Sequence, residues 1–456
     1  MVFVIIGAFI IGLMALFVAA FVAVIPWRYE FGKSWLALPL KMSFPAIVWS
    51  LTVLSITVLC GGLLLVLFVP IFTVIWYISL ILTIVAAGSG IAHAGYIRRV
   101  TRPHEGFAMA FGPDWQSKLR TTNGMLSQRW SPKRYSNKPV RIQRDVVIWT
   151  FEPSGRQLLA DVWQPMQGTK PTGVAMLFFH GSAWHFFDKG IGTDPMFRHL
   201  ASQGHVIIDV AYRLAPEVNI AEMTSDVKRA VIWTKQNAVD LGIDPDKIVV
   251  SGASAGGHIS LLAAYGHDHP AFTPADLVGM DTSVAGVISL YAPCDLRAFI
   301  NHHAGRLATT GKPATVRAPI QFQAMNVEQM MMNLCGGMPD VAPRMFDLSD
   351  VKTHVAPGAP PALIFQGEVD FITPKAATIQ LIELLKEASV PVVYVELPQT
   401  DHVWDVFTGM AEKVFHKKWI PRFLNSQYAP PTQATIYDIE RFLGYMASSA
   451  DFLKLN

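Results

Sequence analysis

The segment from Lys247 to Ala264 constrains the fold of this chain more than any other part of the sequence. Its residue pattern predicts a short buried strand over residues 247–251, a turn with the sequence Gly-Ala-Ser-Ala-Gly, and then a helix. A strand, turn and helix in this order form an elbow, in which the serine sits on the strained turn between strand and helix. Small neighbours allow the backbone to reverse tightly there. The pattern therefore predicts that the hydroxyl group of Ser254 projects above the edge of a sheet, close to the amino end of the helix.

Strand and helix signals alternate along the chain from about residue 145 onward. The predicted strands are Val146–Phe151, Leu158–Trp163, Gly173–Phe179, His205–Ala211, 247–251, Ala285–Tyr291, Pro361–Phe365 and Val392–Leu397, and the predicted helices cover 221–241, 374–388 and 434–447. This alternation is typical of an α/β fold with a doubly wound, mostly parallel sheet that helices cover on both faces. Residues 145–456 are therefore predicted to form one α/β domain, with a cap insertion at about 296–345, where the alternation lapses.

The first 92 residues account for much of the apolar character of a chain that is 51% hydrophobic and only 16% charged. Residues 1–26 and 45–92 contain no Asp, Glu, Lys or Arg. An uncharged run of about 20 residues is long enough to cross the hydrocarbon core of a bilayer. The sequence therefore predicts three transmembrane spans, at about 3–25, 46–69 and 71–90. The alternative, a pair of buried helices in a soluble protein, would need unusually long core helices.

Basic residues predict the orientation of these spans. They lie in the loop between the first two spans (Arg28, Lys33 and Lys41) and directly after the third (Arg98, Arg99 and Arg102). With three crossings both regions lie on the same side of the membrane, and the positive-inside rule places that side in the cytoplasm. The chain is therefore predicted to be a multi-pass integral membrane protein with its α/β domain on the cytoplasmic side.

Residues 93–144 form a strongly basic juxtamembrane segment, in which eleven Lys or Arg residues outnumber Glu105 and Asp114. Four aromatic residues are interleaved with these charges: Phe107, Phe111, Trp115 and Trp130. Two interpretations are open, an interfacial collar that binds anionic lipid headgroups or a solvated linker with a short helix. We expect no nucleic-acid partner, because no nucleic-acid-binding module accompanies the charge.

A serine nucleophile needs a base, a group that orients the base, and donors for a developing oxyanion. Asp370, just beyond the predicted strand Pro361–Phe365, is the predicted orienting acid. Glu368 is the local competitor, although a solvent-facing loop carboxylate is the simpler interpretation of that residue. His402, just beyond the predicted strand Val392–Leu397, is the predicted base.

Two other histidines fit the role of base less well. His416 lies in a stretch that is predicted to be helical. His258 lies one turn after Ser254 on the predicted elbow helix, where it is expected to pack or cap.

The predicted oxyanion donors come from two segments. Small residues follow the strand Gly173–Phe179, and they allow backbone N–H groups to approach a reacting carbonyl oxygen. The N–H groups of Ser182 and Ala255 are the expected donors, with Gly181 shaping the loop.

The sequence predicts neither a metal nor another cofactor. The three cysteines, Cys60, Cys294 and Cys335, are too few for a disulfide framework, and no cluster of Cys and His has the spacing of metal ligands. The oligomeric state is left open.

Six motifs within residues 145–445 carry a resemblance to a known family. They are His180-Gly-Ser-Ala-Trp184, Tyr212-Arg-Leu-Ala-Pro-Glu217, Leu241-Gly-Ile-Asp-Pro-Asp-Lys247, Gly252-Ala-Ser-Ala-Gly-Gly257, Gln366-Gly-Glu-Val-Asp370 and Asp401-His402. Together they resemble the α/β-hydrolase fold, in the esterase branch of the hormone-sensitive-lipase-like and acetylesterase-like carboxylesterases. The resemblance implies catalytic roles for Ser254, Asp370 and His402, and it makes Trp184 and Tyr212 candidate substrate-binding residues.

Two positions depart from the family's pattern. Ser182 stands where a second glycine is usual, and because serine adopts a positive φ less readily, the oxyanion loop is expected to differ in shape. Gln366 stands where a histidine is common, and it is not expected to be catalytic. The predicted spans lie outside the resemblance, although membrane-anchored relatives such as isoprenylcysteine methylesterase-like enzymes combine both parts.

The sequence as a whole predicts a membrane-anchored serine carboxylic ester hydrolase that forms an acyl-enzyme with a small or lipid-like ester, in contact with membrane lipid. Two alternatives stay open. One is a ligand-binding protein that reuses the fold without turnover, and the other is a serine peptidase or amidase. A non-catalytic protein would usually lack one of the three catalytic residues, and all three are present.

Overall fold

The computed structural model describes residues 94–131, 138–310, 325–405 and 429–448, together with residues 88, 91, 315 and 316. Apart from Gly88, the three predicted spans lie outside the described residues and stay predictions. Among the residues that are described, no helix is both long and apolar enough to cross a membrane.

An eight-stranded sheet forms the centre of the structure. Its strands are β1 (Arg141–Phe151), β2 (Arg156–Gln164), β3 (Ala175–Phe179), β4 (Val206–Ala211), β5 (Ile248–Ala253), β6 (Gly286–Leu290), β7 (Ala362–Gly367) and β8 (Val392–Leu397). They lie in the order β1-β2-β4-β3-β5-β6-β7-β8. β2 pairs antiparallel with both β1 and β4, and all other neighbours pair in parallel. The predicted mostly parallel sheet is therefore confirmed.

Helices separate most of the strands in sequence. In chain order they are α1 (Gly106–Phe111), α2 (Asp194–Ser202), α3 (Ile220–Gln236), α4 (Ala238–Leu241), α5 (Ala255–Tyr265), α6 (Leu296–Thr310), α7 (Val327–Cys335), α8 (Pro343–Ser349), α9 (Lys375–Glu387) and α10 (Pro430–Ser448). The helix predicted over 221–241 is divided at Asn237 into α3 and the single turn α4. Gly242 ends α4 in the left-handed conformation, with φ 70°, which glycine adopts without strain.

The central strands are buried along their whole length. Every residue of β3, β5, β6 and β7 is buried, as expected for parallel strands with both faces covered. Because parallel strands end at the same edge of a sheet, the residues that follow β3, β5, β7 and β8 meet there. The topology alone thus places the predicted serine, acid, base and oxyanion loop along one edge.

The structure corrects the interpretation of residues 93–144 as a linker. Phe107 and Phe111, four residues apart on α1, are both buried. The Phe107 ring stacks on Trp115 at 4.7 Å, and the Phe111 ring stacks on Tyr445 of α10 at 4.2 Å. These aromatic side chains therefore cover the sheet and α10, and they are unavailable to lipid headgroups. The physical reason is their helical spacing, which gathers them on one apolar face.

Buried polar contacts attach the same segment to α10. The guanidinium group of Arg129 donates to Asp438 at 2.6 Å, and the side chains of both residues are buried. The N–H of Leu126 donates to Glu440 at 2.9 Å. The folded unit therefore begins well before residue 145.

The region of the predicted cap insertion contains α6, α7 and the start of α8, and two short strands pair Thr315–Val316 with Met325–Asn326. Met330 and Met331 of α7 are fully buried in the hydrophobic core, where they serve helix packing.

Replacement of Phe107 by alanine tests whether this segment is integral to the domain. We expect Phe107→Ala to lower the free energy of unfolding by about 3 kcal/mol, because loss of a buried phenyl ring leaves a cavity. Met109→Ala on the same helix is the matched control, because that side chain is 72% exposed. Urea denaturation of the detergent-solubilised protein measures both values. Equal losses in the two variants would contradict the described packing.

Candidate active site

Ser254 occupies the turn between β5 and α5. Its backbone has φ 52° and ψ −120°, a conformation that is rare outside glycine and costs of order 1–3 kcal/mol. The Ser254 N–H donates to the Leu290 carbonyl at 2.8 Å, and the His258 N–H donates to the Ser254 carbonyl at 3.0 Å. The serine therefore sits at the amino end of an 11-residue helix, where unpaired N–H groups and the helix dipole favour negative charge.

Two glycines permit this turn because neighbouring backbone leaves no room for a side chain. A Cβ at Gly252 would lie 2.4 Å from the carbonyl carbon of Gly256. A Cβ at Gly256 would lie 2.0 Å from the carbonyl oxygen of Phe179. The start of α5 is therefore in direct backbone contact with the end of β3.

His402 connects the serine to a carboxylate. Its Nε2 lies 3.0 Å from Ser254 Oγ, and its Nδ1 lies 2.8 Å from Asp370 Oδ2. Because an ionised Asp370 can only accept, Nδ1 carries a proton and Nε2 is left to receive the proton of Ser254. The side chains of His402 and Asp370 are both buried. The structure thus brings together the three residues that the sequence analysis selected as nucleophile, base and acid.

Four further hydrogen bonds surround the carboxylate of Asp370. Its Oδ1 accepts from the N–H groups of Ile372 and Thr373, both at 2.9 Å, and its Oδ2 accepts from the Thr373 hydroxyl at 2.7 Å and the Gln366 amide at 3.0 Å. Burial raises the pKa of Asp370, but the charge and hydrogen bond of His402 and the bonds from Thr373 outweigh it and hold the pKa below its usual value. The carboxylate is therefore ionised at neutral pH.

Gln366 is a positioning residue for this carboxylate. Its amide nitrogen donates to Asp370, while its amide oxygen accepts from the Thr378 hydroxyl at 3.0 Å. The second bond fixes the orientation of the amide, so that its NH₂ group points at the acid. The sequence showed the departure at this position but carried no signal for this role.

A backbone contact joins the loop of the acid to the loop of the base. A Cβ at Gly367 would lie 2.3 Å from the Thr400 carbonyl oxygen. Asp401 bridges the same loops, because its Oδ1 accepts from the Phe371 N–H at 3.2 Å and from the His402 N–H at 2.8 Å. The distance between acid and base is therefore set by main chain and by one carboxylate that the sequence analysis gave no separate role.

Glu368 and His258, the other candidates for the acid and the base, are engaged with other partners. Glu368 is exposed and accepts from the Gln399 N–H at 2.7 Å. His258 is buried, its Nε2 lies 2.7 Å from the Ser349 carbonyl, and burial lowers its pKa to about 4. The expectation that His258 packs is therefore confirmed, whereas His416 lies outside the described residues.

The predicted oxyanion loop is fixed by Tyr212. The Tyr212 hydroxyl donates to the His180 carbonyl at 3.0 Å and lies 2.5 Å from Ser182 Oγ. Because the tyrosine has one hydroxyl proton, Ser182 is the donor in the second pair. The serine at this position thus supplies a hydrogen bond that glycine could not make.

The backbone of the loop reverses after Ser182 rather than at it. Positive φ angles occur at Ala183 (47°) and Trp184 (62°), and Ser182 is outside this conformation. A Cβ at Gly181 would lie 3.3 Å from the Cβ of Ser254, so the loop lies directly against the elbow. The roles of the Ser182 and Ala255 N–H groups as oxyanion donors stay predictions.

The structure places Trp184 and Tyr212, the candidate substrate-binding residues, in the interior. Their exposed fractions are only 1% and 3%. The Trp184 ring packs edge-on against His258 at 5.7 Å and against Phe299 at 5.9 Å. Both side chains support the loop from the interior, and neither presents appreciable surface to a ligand.

The sequence is similar to one protein-family model and to proteins named as ester hydrolases. The BD-FAE family model matches residues 160–385, just under half of the chain. The chain is 31% identical over 278 residues to the probable carboxylic ester hydrolase LipM of Mycobacterium tuberculosis. This alignment covers 60% of this chain and 59% of LipM. It is 26% identical over 318 residues to the esterase LipQ of the same organism, and this second alignment covers 66% of this chain and 69% of LipQ.

Solved structures of an esterase are also similar. Thermogutta terrifontis esterase 2 phosphonylated by sarin has 21% sequence identity and a TM-score of 0.44, with coverage of 59% of this chain and 86% of that one. The chain spans only 59% of the length of LipM.

Separate replacement of Asp370 and of Glu368 tests which of the two carboxylates acts as the acid. We expect Asp370→Asn to slow labelling of Ser254 by a fluorophosphonate probe about 10³- to 10⁴-fold, because an amide would favour the wrong tautomer of His402. Glu368→Gln removes the same charge two residues away and should change the rate by roughly twofold or less, because that exposed group is screened. Comparable losses in both variants would contradict the assignment of Asp370.

Proposed function

We propose that this chain is a membrane-anchored serine carboxylic ester hydrolase that acts through an acyl-enzyme on a small or lipid-like ester. One observation carries the proposal: a continuous hydrogen-bonded path runs from Ser254 Oγ through His402 to the ionised carboxylate of Asp370. The similarity to LipM and LipQ, named as ester hydrolases, supports an ester as the substrate.

Acylation begins when Ser254 Oγ attacks the carbonyl carbon of the ester and His402 Nε2 takes its proton. Asp370 stabilises the imidazolium that results. The N–H groups of Ser182 and Ala255 donate hydrogen bonds to the negatively charged former carbonyl oxygen, and loss of one such donor costs about 3 kcal/mol of barrier. His402 then protonates the alkoxy oxygen, the C–O bond breaks, and the alcohol leaves.

Deacylation repeats these steps with water as the nucleophile. A water molecule gives a proton to His402 Nε2 and attacks the acyl carbon. The bond to Ser254 Oγ breaks, and the imidazolium returns its proton to that oxygen. The products are a carboxylic acid and the free enzyme, and no cofactor takes part.

The predicted spans support a substrate that partitions into lipid. They would tether the α/β domain at the bilayer surface, where amphiphilic esters are concentrated. The basic residues in the loop between the first two spans and directly after the third support a cytoplasmic location of the domain.

The proposed chemistry is tested with the detergent-solubilised chain and its Ser254→Ala variant. We expect a fluorophosphonate probe to label the wild type and not the variant, because the probe reacts with an activated serine oxygen. A panel of p-nitrophenyl esters of graded acyl length should be hydrolysed at least about 10³-fold faster by the wild type. The proposal would be wrong if the wild type were neither labelled nor active, or if hydrolysis persisted in Ser254→Ala.

The same panel distinguishes the alternatives. Matched p-nitroanilides report amide hydrolysis, and a kcat/KM equal to that of the esters would replace the esterase with an amidase. Saturable binding of the esters without turnover would indicate a ligand-binding protein.

Membrane attachment is tested in cells that express the full chain. We expect the protein to stay in the pellet after alkaline carbonate treatment, because transmembrane spans resist extraction. In sealed right-side-out vesicles, added protease should cut the α/β domain only after detergent opens the membrane. Release by carbonate would contradict the spans, and digestion in sealed vesicles would contradict the orientation.

A further inference from the structure

The ring of Tyr291 packs against the imidazole of His402. The two ring centroids are 4.4 Å apart, and Tyr291 is buried. Tyr291 follows β6 directly, with φ 43°, and its N–H donates to the Phe365 carbonyl at 2.8 Å. A bulky residue keeps this strained backbone conformation only where its surroundings impose it. The sheet therefore holds the ring against the proposed base.

The hydroxyl group of Tyr291 donates to a second buried carboxyl group. Its partner is Oδ1 of Asp405, at 2.5 Å. Asp405 is only 9% exposed, and its Oδ2 has no hydrogen-bond partner in the part of the chain that the structure describes. A buried carboxylate oxygen without a partner costs free energy, so its presence beside a site calls for a functional explanation.

Three carboxyl groups surround His402 among the described residues. Asp370 binds its ring, Asp401 binds its backbone N–H, and Asp405 acts on it electrostatically from beyond Tyr291. Ser254 completes the contacts of the ring through Nε2. The small cavity beside Asp405 is otherwise lined by uncharged residues, namely Gly192, Thr193, Met196, Thr432, Thr435 and Ile436. Among these neighbours, His402 is the one that can carry a compensating positive charge for Asp405.

We propose that Asp405 is a positioning residue for the base: through Tyr291 its carboxylate holds the imidazole of His402 in place and stabilises the protonated ring. The proposal rests on the proposed function, because it concerns the same proton transfer. Burial raises the pKa of Asp405 to about 6, so the carboxyl group is ionised at neutral pH. Burial also raises the pKa of Tyr291 well above its usual value, which keeps its hydroxyl protonated as the donor.

The expected pH effect follows from the sign of this charge. A negative Asp405 stabilises the positive charge that His402 gains when it takes the proton of Ser254. Without that charge we expect the acid limb of the rate profile to move to lower pH and the proton transfer at neutral pH to be slower.

Asp405→Asn tests the proposal because the amide keeps the shape and can still accept from Tyr291. The measurement is the rate of fluorophosphonate labelling of Ser254 against pH, in the detergent-solubilised full chain. We expect the midpoint of the acid limb to fall by roughly 0.5 pH unit, less than a directly contacting charge would shift it. The rate at neutral pH should fall by up to about threefold, the rate equivalent of that loss in basicity.

Tyr291→Phe provides a second variant. It keeps the ring beside His402 but removes the hydrogen bond to Asp405, which raises the pKa of that carboxyl group and lowers its charge near neutral pH. The midpoint should therefore move in the same direction as in Asp405→Asn. Glu368→Gln is the control for loss of a carboxylate, and its midpoint should equal that of the wild type, because Glu368 is exposed.

The outcomes separate this proposal from the proposed function. A midpoint that stays unchanged in both variants, at whatever rate, would mean that Asp405 only supports packing, and the proposal would be overturned. If Asp405→Asn does not fold, the midpoint of Tyr291→Phe decides alone. A wild type that the probe does not label would refute the serine hydrolase itself.

Discussion

The main-chain contact between the start of α5 and the end of β3 determines where the reacting groups lie. A Cβ at Gly256 would come within 2.0 Å of the Phe179 carbonyl oxygen and 2.6 Å of the His180 carbonyl oxygen. The helix that begins after Ser254 therefore touches the start of the predicted oxyanion loop through backbone atoms. Positions that backbone contacts fix vary less than those that depend on flexible side chains, and pre-oriented donors are what oxyanion stabilisation requires. The φ angle of 52° at Ser254 is the strain that accompanies this arrangement.

A second main-chain contact, between Gly367 and Thr400, does the same for acid and base. It brings together the ends of β7 and β8, which are parallel neighbours in the sheet. Side chains then refine the distance, because Asp401 bonds to both loops and Thr373 and Gln366 hold the carboxylate of Asp370. The sheet therefore supplies coarse placement, backbone contacts fix the loops, and buried polar groups orient the reacting atoms.

The sequence predicted those parts of the fold that depend on local pattern. A predicted strand overlaps each of the eight strands of the sheet. The central strands β3, β5, β6 and β7 were the easiest to recognise, because strands covered on both faces are near-continuous apolar runs. The elbow was recognisable because its turn tolerates only small residues. The sequence could predict that Asp370 and His402 lie together because parallel strands deliver the residues after them to one edge, so chain order and strand ends were sufficient.

Other parts of the site depend on tertiary contacts that leave no local pattern. Aromatic residues near a predicted loop looked like ligand contacts, but the hydroxyl of Tyr212 is required by the loop itself. Tyr291 and Asp405 are 114 residues apart, and nothing in either segment predicts their hydrogen bond. In residues 93–144 the rings of Phe107 and Phe111 were visible among the basic residues, but nothing in the segment predicts that they pack on the sheet and α10.

The true beginning of the domain affects the site as well as its stability. Helical residues 94–100 follow the last predicted span, and Tyr96 is buried in the same hydrophobic cluster as Leu397 at the end of β8. The guanidinium group of Arg99 donates to the Gln399 side chain at 3.0 Å, three residues before His402. A domain defined from residue 145, as the alternation of strands and helices suggests, would lack both contacts. The segment that leads out of the predicted membrane region therefore also supports the loop that carries the proposed base.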